Sequence, residues 1–121
     1  MTSPTLRWVA VAVAVAGLAL GLLLGGEEPQ PYVITAINYH FHDAHPTFPI
    51  GPGRDLIIKN ASTNLHNVTI PALNFSEDVR PGQQIVIPDI ASRFSAPGRY
   101  TFVCLYHQDR GMAGTLIIAA G

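Results

Sequence analysis

The 121-residue chain carries 7 Lys and Arg against 8 Asp and Glu, which gives a formal net charge of −1 with no basic run. This balance argues against a nucleic-acid partner, because nucleic-acid binding needs clustered positive charge. The single cysteine, Cys104, excludes an internal disulfide, so an exported chain would need another means of keeping the thiol reduced, such as a bound metal.

The N-terminus joins a polar segment ending in Arg7 to an uncharged apolar stretch of 19 residues, from Trp8 to Gly26. This length approaches the ~20 residues that cross a bilayer as a helix, and no small-residue cleavage motif precedes Glu27. Residues 1–26 are therefore predicted to be a transmembrane signal anchor, with a cleaved signal peptide as the alternative. Arg7 lies in the short segment before the apolar stretch, and a positive charge there favours a cytoplasmic N-terminus. The residues after the stretch are therefore predicted to be exported, to the periplasm or the outer face of the cytoplasmic membrane.

Residues 27–31 form a predicted linker, and residues 32–121 remain as one small domain. Strands are predicted where β-branched and aromatic runs lie between Pro/Gly turns; these are 32–39, 55–60, 66–71, 85–88, 99–104 and 114–120, with a short one at 48–50. Residues 40–53 are otherwise predicted to be turn-rich and 72–84 to be a loop, and no window after residue 26 keeps a helical period. Short strands at this density predict an all-β sandwich or barrel.

The segment 100–116 gathers Cys104, His107 and Met112 in a Cys-x2-His-x4-Met spacing. Strand alternation places the sulfur of Cys104 on the core-facing row, at a loop-bearing end of the sandwich. His66, at the start of an earlier strand, is the best candidate for a fourth group. Two imidazoles, one thiolate and one thioether favour copper over zinc, and a set without carboxylates excludes hard cations.

These residues resemble the cupredoxins, the plastocyanin and azurin group of type 1 copper proteins. The resemblance rests on NLHNVTI, residues 64–70, and on FSAPGRYTFVCLYHQDRGMAGTLII, residues 94–118. The family pattern Pro-Gly-x-Tyr-x-Phe-x-Cys-x-x-His with a nearby Met-x-Gly is met by Pro97, Gly98, Tyr100, Phe102, Cys104, His107, Met112 and Gly114. It implies an eight-stranded Greek-key β-sandwich and one-electron transfer by one copper ion that cycles between Cu(I) and Cu(II).

The matching positions imply that His66, Cys104 and His107 are the equatorial copper ligands and that Met112 is the axial ligand. Asn67 occupies a place where the family often has a polar residue that ties the two ligand loops together. The ligand assignment is therefore an implication of the resemblance. The residues themselves establish a donor set that suits copper.

The resemblance also assigns the electron route, because the family's second histidine lies near the surface in an apolar patch. Here that residue is His107. Its candidate neighbours are Leu105, Met112, Ala113, and Leu73 or Phe75. A partner such as a cytochrome or a terminal oxidase would dock on this face through the small interface of redox encounters. We expect a monomer that the segment 8–26 tethers to the membrane.

The segment YHFHDAHP, residues 39–46, is not explained by the resemblance, although it contains His40, His42 and His45. Along a strand His40 and His42 share a face, and His45 is a candidate to join them after a turn. One interpretation is a second metal site for copper or zinc; the other is a solvated strand edge. The cluster motivates an alternative function for the chain, copper capture or delivery without redox turnover.

A third hypothesis is an enzyme, since a Cys–His pair can act as a nucleophile with its base. Reactive thiolates usually lie at a helix N-terminus or beside positive charge, whereas Cys104 ends a predicted strand. The copper oxidases and nitrite reductases of this family need further copper centres and domains, which a domain of ~95 residues does not hold. We therefore predict that the chain is not an enzyme.

Overall fold

The computed structural model describes residues 28–44 and 48–121. Its strands are β1 (Tyr32–Ile37), β2 (His40–His42), β3 (Leu56–Asn60), β4 (His66–Ile70), β5 (Phe75–Val79), β6 (Gln84–Ile87), β7 (Gly98–Val103) and β8 (Ala113–Ile118). Short 3-10 helices lie at Pro71–Leu73, Ile90–Arg93 and Gln108–Arg110. In this part of the chain no helix has the length and apolar character to cross a membrane. The predicted signal anchor and His45 lie outside the described residues.

The strands form two four-stranded sheets, in the orders β2-β1-β3-β6 and β5-β4-β7-β8. β1 pairs with β3 in parallel, and the other strand pairs are antiparallel. Alternate residues of both sheets point inward into one apolar core, which contains Ile34 and Ile58 from the first sheet and Val68, Phe102 and Leu116 from the second. The predicted all-β fold is confirmed, with eight strands.

The prediction of a loop over residues 72–84 was wrong, because β5 lies inside it and pairs with β4 along its length. Its sequence FSEDV has a single buried side chain, Val79, so it lacks the alternation that identifies a half-buried strand. The predicted strand at 48–50 is reduced to an isolated bridge between Ile50 and Ile118. The first predicted strand ends early because Asn38 adopts a left-handed conformation, with φ 54°, that begins a turn.

Close packing beneath β2 explains one glycine of the sequence motif. Phe41, the inward residue of β2, packs its ring 4.9 Å from that of Phe102 on β7. Gly114 on β8 lies under this pair, and a Cβ there would clash with the Phe102 ring and approach the Ala44 Cβ to 2.7 Å. A side chain at position 114 would therefore push the two sheets apart.

The two ends of the sandwich carry different parts of the chain. β4 begins and β7 ends at one end, which we call the ligand pole because it carries His66 and Cys104. The residues that precede β1 lie at the other end, the linker pole. There the side chain of Arg54 donates to the Gln30 carbonyl at 2.7 Å, and Gly53 lies against Pro29. The chain thus enters the domain at the end farthest from the ligand pole.

Candidate metal centre

The loop between β7 and β8 closes on itself and gathers three of the predicted ligands. The Cys104 N–H donates to the Met112 carbonyl at 3.0 Å, and the Met112 N–H donates to the His107 carbonyl at 3.2 Å. Gly111 has a φ of 77°, a left-handed conformation that glycine adopts without a steric penalty and that turns the chain back. These bonds hold the two ends and the middle of the loop at fixed positions.

The donor atoms of His66, Cys104 and His107 all lie within 4.8 Å of one another. The Cys104 Sγ is 3.5 Å from Nδ1 of His107 and 3.9 Å from Nδ1 of His66. A metal held in a trigonal plane at ordinary thiolate and imidazole bond lengths separates those donors by about 3.8 Å. The two sulfur–nitrogen distances therefore match those around a coordinated metal ion, and the donor types suit copper.

His66 is fully buried and is held by a chain of hydrogen bonds. The Asn60 Nδ2 donates to the carbonyls of Asn64 and Val79, so its Oδ1 accepts from the Ser62 hydroxyl, at 2.7 Å. The Ser62 oxygen is then the acceptor for Nε2–H of His66, at 2.8 Å. This arrangement selects the tautomer in which the Nδ1 lone pair faces the Cys104 sulfur.

The environment of His66 also keeps the ring neutral. Burial lowers the pKa of His66 below its ordinary value, and the neighbouring charge of His107 lowers it further. Both effects oppose the imidazolium form, which has no lone pair at Nδ1. The neutral ring is the form that coordinates a metal.

His107 is half-buried and lies in a different environment. Its ring meets the Tyr39 ring edge to face, with centroids 4.8 Å apart. The Arg110 guanidinium also contacts the Tyr39 ring, at 4.3 Å from its centroid. The turn between β1 and β2 thus supplies an aromatic wall for the ligand loop. Contacts of this geometry stabilise by about 0.5–1.5 kcal/mol each.

The Cys104 sulfur is fully buried and accepts a hydrogen bond from the Asn67 backbone N–H at 3.3 Å. The Asn67 side chain holds the surrounding strands together: its Oδ1 accepts from Thr69 at 2.6 Å, and its Nδ2 donates to Ser76 and Asp78, each at 3.2 Å. Its Oδ1 also lies 3.5 Å from the Leu105 N–H. Asn67 therefore contacts both segments that carry the ligands.

A second link to the ligand loop runs across the protein surface. The Tyr106 hydroxyl donates to both carboxylate oxygens of Asp78, each at 2.8 Å. This hydrogen bond is the main reason that the pKa of Tyr106 is raised. Since Asp78 also accepts from Asn67, the loop and the strand that begins at His66 share one polar network.

Met112 is fully buried and adjoins both Cys104 and His107 through its backbone. It is therefore a neighbour of His107, as predicted, but it contributes nothing to an exposed apolar surface. Three exposed apolar residues adjoin the proposed ligands in the sequence, namely Leu65, Leu105 and Tyr106, with 41%, 52% and 49% of their surface accessible. Leu73 and Phe75 adjoin the opposite end of β4, since Ile70 pairs with Phe75 and His66 with Val79.

The remaining predicted site residues lie apart from this centre. His40 and His42 are exposed on β2, with ring centroids 6.5 Å apart. Among residues 28–44 and 48–121, His66, Cys104 and His107 form the one group of three or more potential His, Cys or carboxylate ligands. The sequence interpretation did not identify Ser62, Asn60 or Tyr39. The polar residues at every second position before His66, which are Asn60, Ser62 and Asn64, were a usable signal for a hydrogen-bond chain to that histidine.

The comparisons with known proteins agree with this geometry. A family model described as a cupredoxin-like domain matches residues 8–118. No curated protein matches the chain. Similar solved structures include dithionite-reduced auracyanin from the photosynthetic bacterium Roseiflexus castenholzii, with 22% identity, a TM-score of 0.58, and coverage of 79% of this chain and 100% of that one.

Two further structures have the same fold at lower identity. Amicyanin from Paracoccus versutus is 19% identical, with a TM-score of 0.57 over 74% of this chain and 81% of that one. A mutant plastocyanin of fern is 17% identical, with a TM-score of 0.57 over 72% of this chain and 99% of that one.

Proposed function

The chain belongs to the cupredoxin-like family, and from this premise we propose that it is an extracytoplasmic one-electron carrier with a type 1 copper centre. The cofactor is one copper ion, which supplies the change between Cu(I) and Cu(II). We propose His66, Cys104 and His107 as its equatorial ligands and Met112 as its axial ligand. The observation that supports this most directly is the triangle of donor atoms, all within 4.8 Å of one another.

The protein holds this triangle by contacts that do not involve the metal. Ser62 fixes the ring of His66, the Asn67 N–H binds the Cys104 sulfur, and the loop backbone fixes His107. Ligands already fixed by their surroundings move little when the charge of the site changes. A small structural change favours fast transfer of one electron, because little energy is needed to reorganise the site.

The same environment excludes water from the sulfur. Cys104 and His66 have no accessible surface, and Met112 is equally buried. A substrate therefore has no route to the thiolate in this arrangement. This burial supports an electron carrier rather than an enzyme, since a nucleophilic cysteine must reach its substrate.

We propose that electrons enter and leave through the His107 face. His107 is the ligand with accessible surface, and Leu65, Leu105 and Tyr106 surround this pole with exposed apolar area. A redox protein such as a cytochrome or a terminal oxidase is the proposed partner, bound through a small transient interface. The chain would act as a monomer.

The position of the linker supports a tethered carrier. Gln30 and Pro29 pack against Arg54 and Gly53 at the linker pole, and the apolar stretch 8–26 lies just before them in the sequence. If that stretch anchors the chain in the membrane, the His107 face points away from the anchor. Such a carrier would meet the extramembrane parts of its partners.

Spectroelectrochemistry of the copper-loaded protein tests the proposed function. We expect an intense visible band from thiolate-to-Cu(II) charge transfer, which disappears on one-electron reduction and returns on reoxidation. A colourless oxidised protein that contains copper would contradict the type 1 centre. A blue protein that cannot be cycled would instead favour copper capture or delivery.

The axial assignment has a separate test, Met112→Leu. Leucine fills a similar volume without a thioether, so copper and the visible band should remain while the reduction potential changes. Voltammetry of the two proteins measures this difference. An unchanged potential would remove Met112 from the ligand set without affecting the other three assignments.

A further inference from the structure

β2 places two histidines side by side on the surface. In this three-residue edge strand His40 and His42 point outward and are exposed, while Phe41 between them points inward. The Phe41 ring packs on Phe102, so the backbone beneath the two imidazoles is anchored in the core. A metal that binds both rings would therefore meet a strand that is already ordered.

The two rings are close to the separation that one metal ion requires. Their centroids are 6.5 Å apart and their planes are inclined at 83°. With metal–nitrogen bonds of ~2.05 Å, two imidazoles on one Cu(II) ion have centroids about 4.5 Å apart at adjacent positions of a square plane and about 6.4 Å apart on opposite sides. Rotation of the two exposed side chains changes the separation of their rings by about 2 Å, which reaches either geometry without movement of the strand.

The strand neighbours of the two imidazoles leave their nitrogens free to bind a metal. No hydrogen bond or ion pair of either imidazole is found among the described residues, and the facing residues of β1 are the uncharged Thr35 and Ile37. Asp43 follows directly and is exposed, so it adds a negative charge beside the pair. Neutral imidazole nitrogens are good ligands for Cu(II), which such a site binds more tightly than Zn(II) or Ni(II).

We propose that His40 and His42 form a second, exposed metal site that chelates Cu(II). It differs from the buried centre in chemistry, because it has no sulfur ligand. Cu(II) bound there lacks an intense thiolate band and gives the electron paramagnetic resonance signal of nitrogen and oxygen ligands. It also differs in access, since both imidazoles are open to solvent while His66 and Cys104 are buried.

The site lies beside the ligand pole. His40 adjoins Tyr39, whose ring contacts His107. Copper bound on β2 would therefore be held on the flank of the buried centre. Binding of Cu(II) to the two imidazoles does not require electron transfer at the buried centre.

The test is a titration of copper-loaded protein with further Cu(II), followed by equilibrium dialysis and electron paramagnetic resonance. The wild-type protein should bind a second equivalent with the signal of nitrogen ligands, and the intensity of the visible band should not change. His40→Gln, His42→Gln and the double variant should each lose this equivalent at the same free copper concentration, since chelation needs both rings.

His45→Gln is the matched control, and it should keep the second equivalent. The visible band of each variant reports that the domain is folded. A wild-type protein that binds one equivalent, or a double variant that still binds two, would overturn the site; loss in His45→Gln would overturn its assignment to the pair. If the visible band is absent from every protein, equilibrium dialysis with Zn(II) and with Cu(II) still measures whether the metal bound by the wild-type protein is lost in the His40 and His42 variants.

Discussion

The two proposed histidine ligands are fixed in opposite ways. His66 has no accessible surface, and its Nε2–H donates a hydrogen bond to the Ser62 hydroxyl oxygen. His107 is half-buried, and its ring rests on Tyr39. Their centroids are nevertheless only 5.1 Å apart. One imidazole is held by directional hydrogen bonds in the interior, and the other by an aromatic contact near solvent.

This difference separates two requirements of an electron carrier. The interior histidine determines the geometry of the site, because its tautomer and ring plane are set by the hydrogen bonds that join it to Ser62 and Ser62 to Asn60. The surface histidine provides access, because an aromatic contact restrains the ring without enclosing it. If this description is correct, substitutions at the two positions should have unequal consequences.

The largest effect is expected from Cys104→Ser, which removes the sulfur that both imidazoles face. The intense visible band should disappear, because a serine oxygen gives no thiolate-to-copper charge transfer. The metal-free fold should remain, since the apolar core is formed by the two sheets. Absorption and circular dichroism spectra measure the two results. A variant with the native visible spectrum would show that Cys104 does not bind the copper.

Paired glycine substitutions test the contrast between the histidines directly. His107→Gly opens a cavity at the surface, so added imidazole should enter it and restore the visible band. His66→Gly opens a cavity of the same size in the interior, where imidazole has no path, and the band should stay absent. A titration with imidazole followed by absorption measures both. Equal recovery in the two variants would contradict the difference in access.

The proposed ligands and Asn67 were identified from the sequence, but Ser62, Asn60 and Tyr39, which orient the two histidines, were not. Cys104, His107 and Met112 share one short loop, so their spacing carries the signal. Ser62 orients His66 through a hydrogen bond whose geometry depends in turn on Asn60, so the signal is divided among three residues of different types. Tyr39 contacts His107 across more than sixty positions of sequence, a contact that only the packing of the two sheets creates.

Prediction of the strands from the sequence depended in the same way on whether the signal is local. β3 and β8 were predicted within a residue or two, because their buried side chains alternate. β5 was missed because it is an edge strand with exposed Ser76, Glu77 and Asp78 in its middle. That strand is formed by its backbone hydrogen bonds to β4. Such pairing leaves no hydrophobic pattern in the sequence from which it could be predicted.

A moderate effect is expected from Ser62→Ala, which removes the acceptor for Nε2–H of His66. Loss of a partner that orients a metal-bound histidine typically weakens metal binding about 10- to 100-fold. We expect weakening near the lower end of this range, measured by competition with a copper chelator. Ser92→Ala at the linker pole removes a comparable hydroxyl hydrogen bond, to the Asp89 carbonyl, and should leave the affinity unchanged. Equal losses would show a general effect on stability.

The smallest effect is the pH dependence of stability in the metal-free protein. Burial lowers the pKa of His66 in the folded state, while the unfolded chain has the ordinary value of about 6.5. Between these two pKa values the unfolded state binds more protons, so the contribution of His66 to stability is complete above about pH 6.5 and is lost as the pH falls toward the folded value. The slope from this one group is at most about 1.4 kcal/mol per pH unit.

Urea unfolding of the metal-free protein at pH 7.5 and 5.5 measures this slope. Other groups also titrate in that range, so the informative quantity is the difference between the wild-type protein and His66→Gln. The substitution should reduce the loss of unfolding free energy on acidification, because it removes the buried group whose pKa is lowered. If His66→Gln leaves the dependence on pH unaltered, the interior ring is not kept neutral by its burial, and the two histidines are more alike than their surroundings indicate.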